Sequence, residues 1–296
     1  MQAVQEAIRG ASPEAIQRHY DVGNAFYRLW LDHSMSYSCA LWVGEADSLE
    51  AAQMRKIDYH IAQARAAGAA HVLDVGCGWG AVLKRLTTVH GAGRAVGLTL
   101  SREQEEWAAA TADPRIKVRR ESWVDHIPTA PYDAIISIGA FEHFARPEWT
   151  TEEQTLAYRR FFARCHDWLR PGGWLSLQTI AYGSLDHEET RTSANRSFLL
   201  GEIFPETELP TLGAIVAACD GLFEIVTLRN DREAYARTCH GWSKRLVARR
   251  REAVAVAGAE VVARFIRYLK LSAILFHQGH TNLLRIAFRR LKEPRP

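Results

Sequence analysis

The sequence predicts an α/β fold in which a parallel sheet is covered by helices on both faces. Five short apolar runs alternate with stretches of helical periodicity, and they lie at 71–75, 94–98, 116–119, 132–138 and 173–180. Strands that alternate with helices favour parallel pairing, because each crossover helix packs against a face of the sheet. Ligands bind such sheets at the carboxyl ends of the strands, so the turns after these runs are the expected site.

The residues ahead of the first strand are predicted to form a helical cap, residues 1–68, that contributes to the site. A Ser-Pro start followed by helical spacing predicts a helix over 12–31, since proline favours the first helical position. A second helix is predicted over 48–67, with Gly68 closing it. The main domain then spans 69–296.

The charge balance of the 296-residue chain argues against a nucleic-acid partner. The chain has 37 basic and 34 acidic residues, and none of its motifs is typical of a nucleic-acid recognition module. Lys and Arg gather at 244–252 and 285–292, where we interpret them as solvated faces of helices and a strand. We expect at most weak contact with an anionic membrane surface.

Cysteine usage and hydropathy indicate a cytoplasmic protein. The five cysteines form no C-x-x-C pair, so we predict neither a metal site nor a disulfide framework. Reduced thiols are usual in the cytoplasm. The N-terminus is polar and helical rather than a signal sequence, and every apolar stretch is shorter than the roughly 20 residues that a membrane span needs. The sequence leaves a monomer and a homo-oligomer both open.

The first predicted strand runs into the glycine-rich turn DVGCGWG, residues 74–80. A phosphate-binding loop needs G-x-x-x-x-G-K-[S/T] and a dinucleotide turn needs G-x-G-x-x-G, and this turn has neither spacing. It resembles instead motif I of the seven-stranded, Rossmann-like methyltransferases that use S-adenosylmethionine (SAM). That cofactor is a zwitterion without phosphate, so it needs backbone and carboxylate contacts, and Asp74 supplies a carboxylate there.

Four further segments resemble the cyclopropane fatty acid and mycolic acid cyclopropane synthase family of these methyltransferases. They read HYDVGNAFYRLWLDHSMSYSCALW (19–42), GLTLSREQ (97–104), SIGAFEHF (137–144) and YARTCHGW (235–242), and the resemblance covers nearly the whole chain. It implies a seven-stranded sheet with N-terminal helices and a helical lid after the fifth strand. It also implies a SAM pocket formed by Tyr37, Ser38, Gly76, Gly78, Thr99, Gln104, Trp123 and Ile138.

The same resemblance implies a catalytic centre that contains Cys39, Glu142 and Tyr235. The presence of both Glu142 and Tyr235 disfavours a SAM-binding protein that has lost catalysis. In the family a bound bicarbonate serves there as the base, and a histidine helps to hold it. This chain carries Gln178 at that position, in the segment LSLQTI. Glutamine forms hydrogen bonds but cannot be protonated. Bicarbonate is therefore disfavoured as a cofactor, and Glu142, acting directly or through water, becomes the favoured base.

Methyl transfer to an alkene places particular demands on such a site. Adding a methyl group leaves a carbocation, which aromatic faces stabilise without attacking it. Candidates for that role are Tyr20, Phe26, Tyr27, Trp30, Tyr37 and Phe141. A base must then remove a proton, and a carboxylate such as Glu142 becomes a stronger base in an apolar pocket, where its pKa rises.

The stretch 181–209 follows the fifth predicted strand, and we predict that it forms a lid over the site. Its first half, SLDHEETRTSANRS, is polar and offers little surface to a lipid tail. We therefore expect a hydrophobic, unsaturated small molecule as the substrate, such as an isoprenoid, a polyketide or another secondary metabolite. The product is then a C-methylated alkene or a cyclopropane. The alternative is a cyclopropane fatty acid synthase that acts on unsaturated phospholipid acyl chains.

Overall fold

Seven strands form one mixed sheet with helices on both faces. The computed structural model describes residues 10–184 and 194–295, and for residues 194–196 it describes the backbone alone. The strands are β1 (His71–Val75), β2 (Arg94–Thr99), β3 (Ile116–Arg120), β4 (Tyr132–Ile138), β5 (Leu169–Tyr182), β6 (Phe223–Asn230) and β7 (Thr281–Arg290). The helices are α1 (Pro13–Tyr20), α2 (Asn24–Tyr27), α3 (Leu49–Gln63), α4 (Ala81–Thr88), α5 (Arg102–Ala109), α6 (Thr151–Trp168), α7 (Ala194–Glu202), α8 (Leu212–Cys219), α9 (Arg232–Ala248), α10 (Arg250–Ala257) and α11 (Ala259–Gln278).

The strand order is β3-β2-β1-β4-β5-β7-β6. Strands β1 to β5 run parallel, whereas β7 runs antiparallel to its neighbours β5 and β6. The five predicted strands coincide with β1 to β5, so the predicted α/β fold with a seven-stranded, Rossmann-like sheet is confirmed. Strand β1 is buried along its whole length, as expected for a parallel strand with both faces covered.

The strand order reverses between β1 and β4, and ligands bind open α/β sheets at such a switch point. The glycine turn 76–80 leaves β1 and the turn 139–143 leaves β4, so the two turns face each other at the carboxyl ends of the strands. The N–H groups of Gly76 and Cys77 donate to the carbonyl of Leu98 in β2, over 3.0 and 2.9 Å. These bonds fix the glycine turn against the sheet.

The N-terminal helices are shorter than the sequence predicts. The single helix predicted over 12–31 is wrong, because Gly23 adopts a φ of 93° and separates α1 from α2. The helix predicted over 48–67 forms as α3 but ends at Gln63, and Arg65 follows with a left-handed φ of 52°. Both helices therefore end where the backbone leaves the helical region.

The N-terminal segment packs against the late helices. Phe26 in α2 lies edge-on to Phe265 in α11, with ring centroids 5.0 Å apart, and Trp30 lies edge-on to Trp242 in α9 at 5.8 Å. Burying a large apolar side chain contributes about 1.5–3 kcal/mol. This cluster therefore holds the N-terminal segment beside the switch point of the sheet. The division into 1–68 and 69–296 stays a prediction.

A helix, α7, follows β5 as predicted. Residues 185–193 of the predicted lid lie outside the described residues, and most of the polar stretch 184–197 lies there with them. None of the helices in the described ranges is long and apolar enough to cross a membrane.

Candidate active site

The crevice at the switch point opens into a cavity of about 630 Å³, called the strand-end cavity below. That volume is within the roughly 300–1,000 Å³ usual for small-molecule sites. The structure brings together in its walls all the residues predicted to bind the cofactor, which are Tyr37, Ser38, Asp74, Gly76, Gly78, Thr99, Gln104, Trp123 and Ile138. Seven of them lie in the last residues of β1, β2 and β4 or within a few residues after β1, β2 and β3, and Tyr37 and Ser38 come from the N-terminal segment.

Backbone conformation explains two glycines of the turn after β1. Gly76 and Gly78 have φ values of 82° and 53°, in the left-handed region that costs other L residues roughly 1–2 kcal/mol. A Cβ on Gly76 would also lie 2.5 Å from the Cβ of Ala140. Glycine at position 76 therefore lets the turns after β1 and β4 touch, and it leaves main chain open to a ligand.

Asp74 lies near the end of β1 in the wall of the strand-end cavity, and it is buried. Neither of its carboxylate oxygens has a hydrogen-bond partner among the described residues. Burial raises the pKa of Asp74 to about 7, and the positive charge of Lys56 opposes that rise. Buried polar groups normally have partners, so this carboxylate indicates a place for a cationic ligand group. The ammonium group of SAM fits it.

A hydrogen-bonded pair stands at the end of β2. Thr99 Oγ1 donates to Gln104 Oε1 over 2.6 Å. The hydroxyl of Ser101 caps α5 by accepting from the N–H of Gln104, over 3.3 Å. The cap fixes the first turn of α5, so it places Gln104 against the strand-end cavity.

A second space, called the apolar chamber below, adjoins the strand-end cavity and measures about 170 Å³. The residues common to both walls are Tyr20, Tyr37, Gly139 and His143. A Cβ placed on Gly139 would lie 3.8 Å from Oε1 of Glu142 and 3.9 Å from the Cβ of Ser38, so Gly139 marks the junction. The two spaces therefore meet inside the protein.

Glu142 faces the apolar chamber from the turn Phe141–His143, which follows β4. Phe141 anchors that turn by stacking on Tyr158, with ring centroids 4.6 Å apart. Thr179 Oγ1 donates to Glu142 Oε2 over 3.0 Å. Burial raises the pKa of Glu142 to about 7, although hydrogen bonds such as the one from Thr179 act against the rise. A carboxylate with that pKa can accept a proton near neutral pH.

His143 lies beside Glu142 and is the weaker base of the two. Its Nδ1 and the hydroxyl of Thr207 form a hydrogen bond of 2.8 Å. Burial lowers the pKa of His143 to about 4. The imidazole is therefore neutral at pH 7 but has little affinity for a proton, whereas Glu142 has a pKa close to the working pH.

Aromatic rings cover much of the wall of the apolar chamber. They belong to Tyr20, Tyr37, Tyr182, Phe204, Tyr235, Tyr268 and Phe276. The hydroxyl of Tyr37 donates to that of Tyr268 over 3.2 Å, and Tyr235 stacks on Phe276 at 4.5 Å between centroids. The prediction is wrong for Phe26, Tyr27, Trp30 and Phe141, because among the described residues their rings line neither the apolar chamber nor the strand-end cavity.

Cys39 and Gln178 line neither cavity in the described part of the chain, and they lie in a buried polar cluster around Arg285. Arg285 pairs with Asp231, and it donates from Nε to Gln178 Oε1 and from Nη2 to the carbonyl of Cys39, each over 3.0 Å. Nε2 of His60 forms a hydrogen bond of 3.2 Å with the same oxygen of Gln178. Burial raises the pKa of the Cys39 thiol to about 11, so the thiol stays protonated.

An N-terminal strap, residues 10–12, closes one edge of the strand-end cavity. The N–H of Ala11 donates to the carbonyl of His143 over 2.8 Å, and Arg146 Nε donates to the carbonyl of Gly10 over 3.0 Å. A Cβ on Gly10 would lie 2.1 Å from the carbonyl oxygen of His143. The strap therefore ties the N-terminal segment to the turn that carries Glu142.

Two buried charges of the site escaped the sequence analysis. Lys56 stands in a helical stretch where a lysine is ordinary. Arg285 was included in the basic segment 285–292 that we interpreted as solvated, and that interpretation is wrong for Arg285, which is fully buried. Asp231 and Gln178 satisfy its guanidinium. The sequence contained one signal of this burial, because Arg285 stands among the apolar residues of a strand.

The strand-end cavity combines a glycine turn that has no phosphate-binding spacing with a buried carboxylate, Asp74, that has no partner among the described residues. Both features suit SAM, which carries an ammonium group and no phosphate. The sheet and this cavity together define the class of the SAM-dependent methyltransferases. Within that class, residues 9–286 match the mycolic acid cyclopropane synthetase family. The chain therefore belongs to this family, as its motifs predict.

The similarity to known members extends over nearly whole chains. Cyclopropane mycolic acid synthase MmaA2 of Mycobacterium tuberculosis is 34% identical over 284 residues, which cover 91% of this chain and 94% of the relative. The solved structure of MmaA2 from Mycobacterium tuberculosis has a TM-score of 0.85 at 31% identity, covering 95% of this chain and 99% of that one. Mycolic acid cyclopropane synthase CmaA1, solved in complex with SAH and CTAB, has a TM-score of 0.84 at 30% identity, with the same coverage of 95% and 99%.

Proposed function

We propose that this methyltransferase transfers the methyl group of SAM to an alkene carbon of a hydrophobic small molecule, through a carbocation that Glu142 deprotonates. The observation that carries the proposal is the burial of Glu142 in an apolar chamber that adjoins the strand-end cavity. A buried carboxyl group whose pKa is near 7 is suited to accept a proton at neutral pH. The expected acceptors are isoprenoids, polyketides or other secondary metabolites with a carbon–carbon double bond.

Residues of the strand-end cavity would hold and orient SAM. We assign Asp74 to its ammonium group, because that carboxylate has no partner among the described residues. We assign the main chain at Gly76 and Gly78 to close approach of the ligand. Tyr37 and Gly139 stand at the junction of the two spaces, so they would aim the reactive end of the cofactor at the apolar chamber.

The proposed reaction balances without a further reactant. SAM supplies an electrophilic methyl group on a sulfonium sulfur. A carbon–carbon bond forms between that methyl group and one alkene carbon while the carbon–sulfur bond breaks, so S-adenosylhomocysteine (SAH) leaves and the second alkene carbon becomes positive. The rings of Tyr20 and Tyr37 stabilise this charge and keep water away. Glu142 then takes a proton, which gives a C-methylated alkene if it comes from a neighbouring carbon and a cyclopropane if it comes from the new methyl group.

In the proposed reaction Glu142 is the base, and bicarbonate takes no part. Gln178 lines neither cavity in the described part of the chain, and its carbonyl oxygen already accepts hydrogen bonds from Arg285 and His60, so we do not assign it to bicarbonate. Cys39 contributes its carbonyl to the same cluster, and we assign Cys39 and Gln178 as positioning residues. Tyr235 lines the chamber directly, so we assign it to contact with the acceptor.

Cyclopropanation of unsaturated phospholipid acyl chains is the second candidate function. It is favoured by the names of the relatives, which are cyclopropane mycolic acid synthases, and by the CTAB bound to one of them. The size of the apolar chamber favours a compact acceptor instead. In the described part of the chain it measures about 170 Å³, below the roughly 300 Å³ at the lower end for ligand pockets.

Methyl-labelled SAM tests the choice between these acceptors. The purified protein is incubated with carbon-13 methyl SAM and either a panel of isoprenoid and polyketide alkenes or vesicles of unsaturated phospholipid. We expect the label on carbon of a small-molecule alkene, located by mass spectrometry and NMR. Label on nitrogen or oxygen would contradict the proposed chemistry.

Gln178→His supplies the matched comparison for the lipid candidate. The variant restores the family histidine, so we expect it to form more cyclopropane lipid than the wild type does. If the wild type already forms cyclopropane lipids as well as the variant, the small-molecule proposal is wrong and the second candidate replaces it.

A further inference from the structure

Lys56 is a buried cation in the wall of the strand-end cavity. It lies in α3, is 2% exposed, and donates from Nζ to the hydroxyl of Ser38 over 2.9 Å. Lysine side chains normally keep their ammonium groups in water, and burying one without a negative partner is costly. Within the described ranges, the ammonium group of Lys56 contacts this hydroxyl and no carboxylate. Its position therefore suits a negative group brought in by a ligand.

Two carboxylates act on Lys56 through space, and they differ in what else they bind. Burial lowers the pKa of Lys56 to about 8, and the charges of Asp32 and Asp74 oppose that fall. Asp32 is already occupied, because the N–H groups of Ser34 and Ser36 donate to it over 2.9 and 3.0 Å. Asp74 has no hydrogen-bond partner for either oxygen among the described residues. Lys56 and Asp74 are thus a separated cation and anion in one cavity wall, each able to bind a further group.

We propose that Lys56 binds the carboxylate of the amino-acid end of SAM while Asp74 binds the ammonium group of that end. An amino acid carries these opposite charges on one carbon, so a wall with a separated cation and anion is complementary to it. Hydrogen bonds between ionised groups are also the stronger ones in proteins. The inference rests on SAM as the cofactor and is independent of the alkene acceptor.

A purely structural role for Lys56 makes a different prediction. Through Ser38 it could serve to hold the segment 36–38 in place. Gln53 in the same helix holds that segment too, since its Nε2 donates to the carbonyls of Ser36 and Ser38 over 3.3 and 2.9 Å. Gln53 is fully buried and is absent from the wall of the strand-end cavity. It therefore provides a matched control that acts on the segment without facing the ligand.

Two ligands that differ only in the carboxylate test the proposal. SAH carries the complete amino-acid end, and S-adenosyl-3-thiopropylamine is the same molecule without the carboxylate. Titration calorimetry measures both ligands with the wild type, Lys56→Met and Gln53→Met. We expect Lys56→Met to weaken SAH binding about tenfold or more and to leave binding of the amine analogue nearly unchanged. Gln53→Met should change the affinities for both ligands by the same factor.

Two results would overturn the proposal. Equal weakening of both ligands in Lys56→Met would show that Lys56 only holds the segment, and unchanged SAH affinity would show that it does not meet the carboxylate. If thermal unfolding shows that Lys56→Met does not fold, Lys56→Gln replaces it with the same two ligands and the same criteria. The failure of the alkene proposal is a separate result, since it would be seen as methyl transfer to another kind of acceptor while this binding pattern stays intact.

Discussion

The strand-end cavity and the apolar chamber meet at Gly139 but are built in different ways. The strand-end cavity takes its wall from the carboxyl ends of β1 to β4, from the turns that follow these strands, and from the N-terminal segment. The apolar chamber takes its wall from side chains spread between Tyr20 and Thr281. Each space contains one carboxyl group whose pKa burial raises to about 7, but Asp74 has the charge of Lys56 nearby whereas Glu142 is surrounded largely by apolar groups. The comparison shows that two adjoining cavities can be built differently. Backbone geometry at the strand ends shapes the strand-end cavity, whereas packing between residues far apart in the sequence shapes the apolar chamber.

Glu142→Gln is expected to have the largest effect, and it should distinguish the role of the apolar chamber in turnover from the role of the strand-end cavity in cofactor binding. Glutamine keeps the size of the side chain and its hydrogen bond with Thr179, but it cannot accept a proton. Turnover of methyl-labelled SAM should fall about a thousandfold, as for other general bases, while SAH affinity measured by calorimetry stays nearly unchanged. A variant that loses SAH affinity and keeps its rate would show that Glu142 belongs to cofactor binding.

The pH dependence of kcat and that of SAH affinity should distinguish the roles of Glu142 and Asp74. A base must be ionised to act, so kcat at saturating SAM should rise about tenfold per pH unit up to the pKa of Glu142, about 7, and then level off. SAH affinity should also rise through pH 7, because ionised Asp74 attracts the ammonium group, and it should fall above about pH 8, where Lys56 loses the charge that we propose binds the carboxylate.

Two variants identify the carboxyl group that controls each of these pH profiles. Asp74→Asn should remove the rise in SAH affinity near pH 7, keep the fall that comes from Lys56, and leave the pH dependence of kcat in place. Glu142→Gln should keep the pH dependence of SAH binding. A kcat profile that is flat across this range in the wild type would rule out Glu142 as the titrating base.

Gly76→Ala and Gly78→Ala have the smallest expected effect and test whether backbone geometry builds the strand-end cavity. Both glycines have left-handed φ values, so each alanine should lower the free energy of unfolding by roughly 1–2 kcal/mol. At Gly76 the new Cβ also meets Ala140 at 2.5 Å, which should add about 1–3 kcal/mol, whereas at Gly78 nothing lies within 4 Å. Urea unfolding measures both variants, and equal losses would mean that contact with Ala140 does not constrain the turn.

The same difference explains how much the sequence could predict. The strands and the strand-end wall follow local rules, since an apolar run that ends in DVGCGWG marks both a strand end and a turn that only glycines allow. Glu142 was predicted from the resemblance of the segment SIGAFEHF to the family, which places it in the turn that follows β4. Arg285 and Lys56 could not be found in this way, because their burial depends on partners that are close only after folding, such as Asp231 and Ser38.

The strap formed by residues 10–12 has a practical consequence for anyone who prepares this enzyme. It makes residues 10–12 part of the wall of the site, since the carbonyl of Gly10 and the N–H of Ala11 form hydrogen bonds with the loop that carries Glu142, the proposed base. A shortened version that starts after Ser12 would leave that loop less well supported and would admit solvent to the cavity in which we propose that a carbocation forms. We expect methyl-transfer rates measured on such a version to be lower than those of the 296-residue chain.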